Sequence, residues 1–265
     1  MPSLPSPSPF IEARVDGSTA WLILNRPERR NALNAAMWEA IPPLVAGLSA
    51  SPEVRVIIIR GAGTEAFAAG ADISEFGESR NDAAAAARYE QLNGQAFAAV
   101  RGCAKPVVAI IQGYCIGGGL ALALAADLRI ADGSALFALP PARLGLAYPL
   151  DGLRDLVATV GAAAAKDMIF TARRIAAEEA LRLGLVNRLA ADLESETAAL
   201  AAEVASGAPL TIAHAKRAID LIAGRPGHAD ETEVRALAAR CFDSADYAEG
   251  RAAFAEKRKP VFRGT

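Results

Sequence analysis

The stretch "KPVVAIIQGYCIGGGLALALAA", residues 105–126, decides how this chain is read. No charged residue occurs from Pro106 to Ala126, a length that would span a bilayer. Gln112 and four glycines interrupt the run, however, and its halves differ in character. "VVAIIQG" is β-branched and reads as a buried strand, while "LALALAA" reads as a helix. Strand, turn and helix are therefore expected, and no membrane span. Gly117, Gly118 and Gly119 open that helix. Two uses fit them. They give room for close helix–strand packing, or they bare N–H groups at a helix N-terminus for an oxygen gaining negative charge.

Outward from this stretch, strands and helices alternate. "FIEARVDGSTAWLILNR" (10–26) predicts a hairpin turning at Asp16-Gly17, and a helix follows from about Asn34. Pro42-Pro43 is expected to kink or restart that helix. "VRVIIIRGAG" (54–63) reads as a buried strand, then a glycine-bearing loop, "GTEAFAAGADISEF" (63–76), precedes an Ala-rich helix from about Asp82 to Arg101. Asn81 or Asp82 is its expected cap. "LRIAD" and "ALFAL" are short strand candidates. After Asp151 the pattern is helical throughout, with 174–187, 192–206, 211–223, 229–241 and 244–257 as helix-bearing segments and a soft boundary near 190–208. The N-terminal "MPSLPSPSP" lacks the basic and apolar regions of a secretory signal, and its Pro/Ser composition predicts a disordered arm over 1–9.

Composition narrows the function classes. The chain has 265 residues, 52% apolar, with 28 basic against 30 acidic side chains and a net charge of −2. That describes a globular protein expected to be soluble and cytoplasmic, with no nucleic-acid or anionic-membrane surface. Cys103, Cys115 and Cys241 fit neither a disulfide framework nor a zinc site, and no metal is expected. Two glycine loops imitate nucleotide sites. Gly61 to Ala66 has dinucleotide-fingerprint spacing but runs on into loop-like sequence instead of a helix. Gly113 to Gly118 has P-loop spacing, yet Gly119-Leu120 stands where Lys-Ser/Thr is required.

Taken together, "LNRPERRNALN" (24–34), "FAAGADISEF" (67–76), "KPVVAIIQGYCIGGG" (105–119), "AADLRIAD" (125–132), "FTARRIAAEEALRLGLVN" (170–187) and "FAEKRKPVF" (254–262) resemble the crotonase (enoyl-CoA hydratase/isomerase) superfamily. The resemblance covers almost the whole chain. It implies an α/β fold, a spiral of ββα units over 10–200 followed by a helical oligomerisation region over 201–265. Trimers or dimers of trimers and an acyl-CoA thioester substrate are implied as well. Coenzyme A would be part of the substrate, with no other cofactor. The thioester carbonyl would accept hydrogen bonds from the N–H groups of Ala71 and Gly118. Ala32 and Ala69 are carried over as lining the CoA groove, and Lys257 or Lys259 as reaching CoA phosphates from a neighbouring subunit.

The sequence departs from the family pattern at the acid/base positions. Two glutamates activate water in the hydratases of this family. Ala121 and Pro141 stand in their places here, and neither can exchange a proton. Asp151, in "LAYPLDG", is the best substitute carboxylate; a helix cap is its plainer reading. Tyr148 is a candidate proton donor or acyl-group contact, Glu75 a possible base, and Arg143 a possible partner for a substrate carboxylate. Asp72 and Asp127 read as structural, and His214 and His228 belong to no nucleophilic triad. Three functions follow: an enzyme forming a thioester enolate, a non-catalytic acyl-CoA-binding homologue, or a scaffold organised by its helical tail.

Overall fold

A computed structural model of the chain describes residues 3–72, 83–227 and 230–265. Strands β2 (Ile11–Asp16) and β3 (Thr19–Leu24) form the expected hairpin. Asp16 pairs with Thr19, so the loop is Gly17-Ser18, one residue beyond the expected position. Gly17 supplies the left-handed φ of 57° that the turn needs. Ile11, Ala13 and Val15 of β2, with Ala20, Leu22 and Leu24 of β3, are buried at alternate positions. This is the period of two that turns one strand face to the core.

The next strands are β4 (Val56–Gly61), β5 (Ala66–Ala68), β6 (Val107–Ile111), β7 (Tyr114–Ile116), β8 (Leu128–Ala131) and β9 (Leu136–Ala138). They alternate between two sheets. β4, β6 and β8 lie parallel in a seven-stranded sheet, and β5, β7 and β9 lie parallel in a four-stranded one. Helix α2 (Ala83–Gly102) follows the first strand pair and α3 (Gly118–Ala125) the second. After the third pair come α4 (Pro141–Leu144) and α5 (Leu150–Thr171). Each ββα unit lays its strands beside those of the unit before, which is the crotonase-like spiral. β4 and β6 read as unbroken apolar runs because both their faces are covered. Ile57, Ile59 and Val107 join the main core, whereas Val56, Ile58, Val108 and Ile110 meet Leu193, Leu200 and Ala201 of α7 (Leu193–Ser206).

Several expectations need correction. The arm is not disordered over its described part: β1 (Ser3–Leu4) pairs with Ala13 and Arg14 of β2, and Ser8 is fully buried. An otherwise open sheet edge offers those backbone partners, which the Pro/Ser composition does not reveal. Pro42 and Pro43 do not break α1 (Ala35–Ala50). Burial of Trp38, Ile41, Leu44, Val45 and Leu48 outweighs the hydrogen bonds that the prolines remove. Asn34 caps this helix, accepting from the Met37 N–H at 2.9 Å. The chain beyond Asp151 is not all helix, since β10 (Ile175–Ala176) and β11 (Arg188–Leu189) extend the two sheets, with α6 (Ala177–Arg182) between them. The expected caps Asn81 and Asp82 lie outside the described residues.

The tail comprises α8 (Pro209–Ile222), α9 (Glu231–Phe242) and α10 (Ala245–Glu256). Ionic contacts tie it to the spiral. Lys216 pairs with Asp127 at 2.8 Å, and Arg225 reaches Asp155 at 3.1 Å and the Leu124 carbonyl at 2.7 Å. Asp155 also takes the Arg101 guanidinium at 2.6 Å. Among the described residues, no helix is long and apolar enough to cross a membrane.

Candidate active site

The loop after β5 and the start of α3 meet at one point. Leu33 forms a parallel bridge with Ala71: the Leu33 N–H donates to Gly70 O at 2.8 Å and the Asp72 N–H to Leu33 O at 2.9 Å. Alternation along an extended chain turns the Ala71 N–H to the opposite side, where no described residue accepts it. Gly118 opens α3, so its N–H has no acceptor within the helix, and no described residue supplies one. A Cβ built on Gly118 would stand 3.6 Å from the Ala71 nitrogen, so the two free donors are neighbours.

Each glycine of the triplet has its own reason. Gly117 takes φ 53° and ψ −119°, a backbone closed to other residues, and its N–H donates to Ala138 O at 2.9 Å. Gly119 lies so close to β5 that a Cβ would fall 2.5 Å from Ala68 O and 2.7 Å from Ala68 Cβ. Gly118 rests on the Trp38 ring, 3.2 Å from its added Cβ. Trp38 is held in turn: its Nε1 donates to the Tyr89 hydroxyl at 3.0 Å, that hydroxyl donates to Leu33 O at 3.3 Å, and Phe97 packs edge-on at 5.4 Å. Close packing is thus realised at Gly119, while Gly118 carries the N–H that no described residue accepts. Asn31, buried in the "NRPERRNALN" segment, fastens the approach loop by donating to the carbonyls of Ala62 at 3.0 Å and Ala66 at 2.7 Å.

Ala71 and Gly118 both line a cavity of about 370 Å³. Its walls are largely apolar, with Ala69, Phe97, Ile116, Pro140 and Leu146 among them. Ala121 and Pro141 line it too, so the cavity wall carries no acid or base at either position. A fixed pair of N–H donors in such a space suits an oxygen that becomes more negative as reaction proceeds.

The other sequence-derived candidates divide. Asp151 is not in the cavity wall. It sits in the first turn of α5 with its side chain 61% exposed, facing Arg154 at 3.5 Å. Helical phase turns Gly152 to the cavity and Asp151 to solvent. Nor does its side chain make a cap hydrogen bond. Tyr148 lines the cavity, packed against Gly152, while its hydroxyl is buried without a partner among the described residues. Burial, with the Asp155 charge next in weight, holds that phenol protonated well above its ordinary range. Arg143 reaches the cavity wall, as does Ala69. Ala32 does not; its carbonyl accepts from Arg26 Nη1 at 3.3 Å. Lys257 ends α10 in a left-handed conformation, exposed and away from the wall. Asp72 pairs with Arg26 at 2.5 Å, and Asp127 accepts from the Val107 N–H at 2.7 Å, both in keeping with structural roles. Glu75 and His228 lie outside the described residues, and His214 borders a separate pocket in the tail. Sequence reading missed Glu90 and Asn93 of α2, which line the cavity together with Phe97. The signal was available as the 90, 93, 97 spacing of one helix face.

The profile of the enoyl-CoA hydratase/isomerase family matches residues 14–265. The chain is 34% identical over 250 residues to a short-chain-enoyl-CoA hydratase of Clostridium acetobutylicum, covering 92% of this chain and 94% of that protein. It is 34% identical over 255 residues to carnitinyl-CoA dehydratase of Escherichia coli K12, covering 94% and 96%. Among solved structures, an enoyl-CoA hydratase/carnithine racemase from Magnetospirillum magneticum superimposes with a TM-score of 0.91 at 38% identity, covering 98% of this chain and 97% of that one. The chain belongs to the enoyl-CoA hydratase/isomerase family.

Proposed function

We propose that this protein binds an acyl-CoA thioester and stabilises the enolate formed from it. The observation that carries the reading is the pair of unpartnered N–H groups, Ala71 and Gly118, facing one apolar cavity. A thioester carbonyl seated there would lie about 2.7–3.1 Å from both donors. Loss of an α-proton, or addition at the β-carbon, moves an electron pair onto that oxygen. Each donor is then worth about 2.7–4 kcal/mol in the transition state. The names of the relatives support CoA thioesters as the substrate class. Standard water addition is disfavoured because Ala121 and Pro141 occupy the glutamate positions. Isomerisation, decarboxylation or hydration through another group remain as reactions of the same enolate, and hydrolysis as one whose tetrahedral oxyanion would use the same donors.

Self-association belongs to the same reading, as a homotrimer or a dimer of trimers in the cytoplasm. Ile222 is 85% exposed and Phe254 87% exposed on the tail helices, with Ile219, Phe242 and Val261 also bare. Apolar surface of this kind suits burial against further copies. Lys257 would contact CoA phosphates across such an interface, and Ala32 would border the groove. The vacant glutamate positions also favour a second reading, a non-catalytic acyl-CoA-binding homologue. Exchange of α-protons into deuterated water separates the two. Deuterium wash-in to an acyl-CoA supports the enzyme, and thioester binding without wash-in supports the binding protein.

A further inference from the structure

From the side chains that face the cavity, we infer that Glu90 transfers the α-proton and that Asn93 holds it in position. This rests on the enolate reading above. Glu90 is the one acidic side chain among the described residues of the cavity wall, where Ala121 and Pro141 carry no proton-exchanging group. Among the described residues it forms no ion pair. The neighbouring Tyr89 ties this part of α2 to the donor loop, because its hydroxyl bonds Leu33 O and Leu33 bridges Ala71. Glu90 is therefore carried on a helix fastened beside one of the two donors.

Asn93 supplies the second observation. It stands one turn along from Glu90 on the same face, it is 8% exposed, and its Oδ1 is buried with no hydrogen-bond partner among the described residues. Side chains three apart on a helix are neighbours. A carboxylate at 90 has nothing to donate to that oxygen, whereas a carboxylic acid does. A proton taken up by Glu90 would give that orphan acceptor a donor.

The step balances within the site. A Glu90 oxygen takes the α-proton, and the C–H electron pair becomes the Cα=C bond of the enolate. The carbonyl π pair moves onto oxygen, against the N–H groups of Ala71 and Gly118. Return of a proton or a solvent-derived deuteron from Glu90 to carbon closes the cycle.

The test is α-proton exchange of butyryl-CoA and phenylacetyl-CoA in deuterated water by wild type, E90Q, E90D and N93A. E90Q is expected to lower the exchange rate about 10²–10⁴-fold with its thioester KM and melting temperature near wild type. E90D should recover part of the rate. N93A should lower it about tenfold alone and have no further effect in E90Q, a non-additivity that a purely structural role would not produce. Wild-type exchange that persists in E90Q, or that is lost in E75Q or D151N while E90Q stays active, overturns this inference alone. Thioester binding by wild type with no exchange overturns the enolate reading and this inference with it.

Discussion

Replacing Gly118 by Ala tests the donor pair more directly than any change to a charged residue, since both N–H groups survive. Gly118 is not in a left-handed conformation, so Ala is tolerated by the backbone and gains up to about 1 kcal/mol of helix propensity. Against that gain, the new Cβ stands 3.2 Å from the Trp38 ring, which must yield by a few tenths of an ångström. The two effects nearly cancel, and the melting temperature should stay within about 4 °C of wild type. The same methyl lies 3.6 Å from the Ala71 nitrogen, in the space an oxygen bound to both donors would use. Displacing that oxygen forfeits the better part of one hydrogen bond, and one such donor is worth about 10²–10³-fold in rate. Gly119→Ala provides the contrast. Its Cβ would meet Ala68 backbone oxygen at 2.5 Å, which cannot rotate away. A cost of about 1–3 kcal/mol in stability is expected. Exchange into butyryl-CoA, followed by proton NMR beside thermal melts, measures both quantities. Wild-type exchange in Gly118→Ala would refute the donor assignment. Activity that merely tracks stability across both variants would refute it as well.

Other expectations concern the core, the titration behaviour and the missing glutamates. Asp155→Ala strips the counter-ion from Arg101 and Arg225, which approach it at 2.6 and 3.1 Å, and should destabilise by about 3–5 kcal/mol in urea melts. Burial raises the Cys115 thiol above its ordinary value, as it does the Tyr148 phenol, so the folded state keeps protons that the unfolded chain gives up. Stability is then full below the unfolded thiol value of about 8.5 and falls above it by about 1.4 kcal/mol per pH unit for Cys115, the phenol adding its own fall only above about pH 10. Urea melts from pH 8 to 10 should show this fall, and Cys115→Ala should flatten it; an unchanged slope in that variant counts against the assignment. Ala121→Glu combined with Pro141→Glu places two carboxylates in the cavity wall and should raise hydration of crotonyl-CoA about 10²-fold, measured by loss of enoyl absorbance.

Legibility in the sequence followed the physical origin of each feature. β4 and β6 are apolar on both faces, so β-branched runs announced them. The proposed donor pair came from the family resemblance of its motifs, since the glycines alone also fit close packing. The pairing of Ser3–Leu4 with β2 and the short β10 and β11 were not legible, since two-residue strands exist only through partners distant in sequence. α1 continued through Pro42-Pro43 because burial of its neighbours outweighed a local preference. At the cavity, one residue of helical phase separates solvent-facing Asp151 from wall-lining Gly152, and Glu90 was hidden in an Ala-rich helix whose cavity-facing side depends on tertiary packing.

On the enolate reading proposed above, the arginines behind α3 would give the tail a role in catalysis that its distance in sequence conceals. Arg129 holds the carbonyls of Ala123 and Ala126 at 3.3 and 3.0 Å, and Arg225 holds that of Leu124 at 2.7 Å. Two cations thus sit at one end of the helix whose other end presents Gly118, where they would reinforce the positive potential offered to the proposed oxyanion. Arg225 belongs to the tail. A chain trimmed after residue 207 would therefore lose the anchor of its donor helix along with the appended helices, and partial proteolysis in the tail should silence the site before the spiral unfolds.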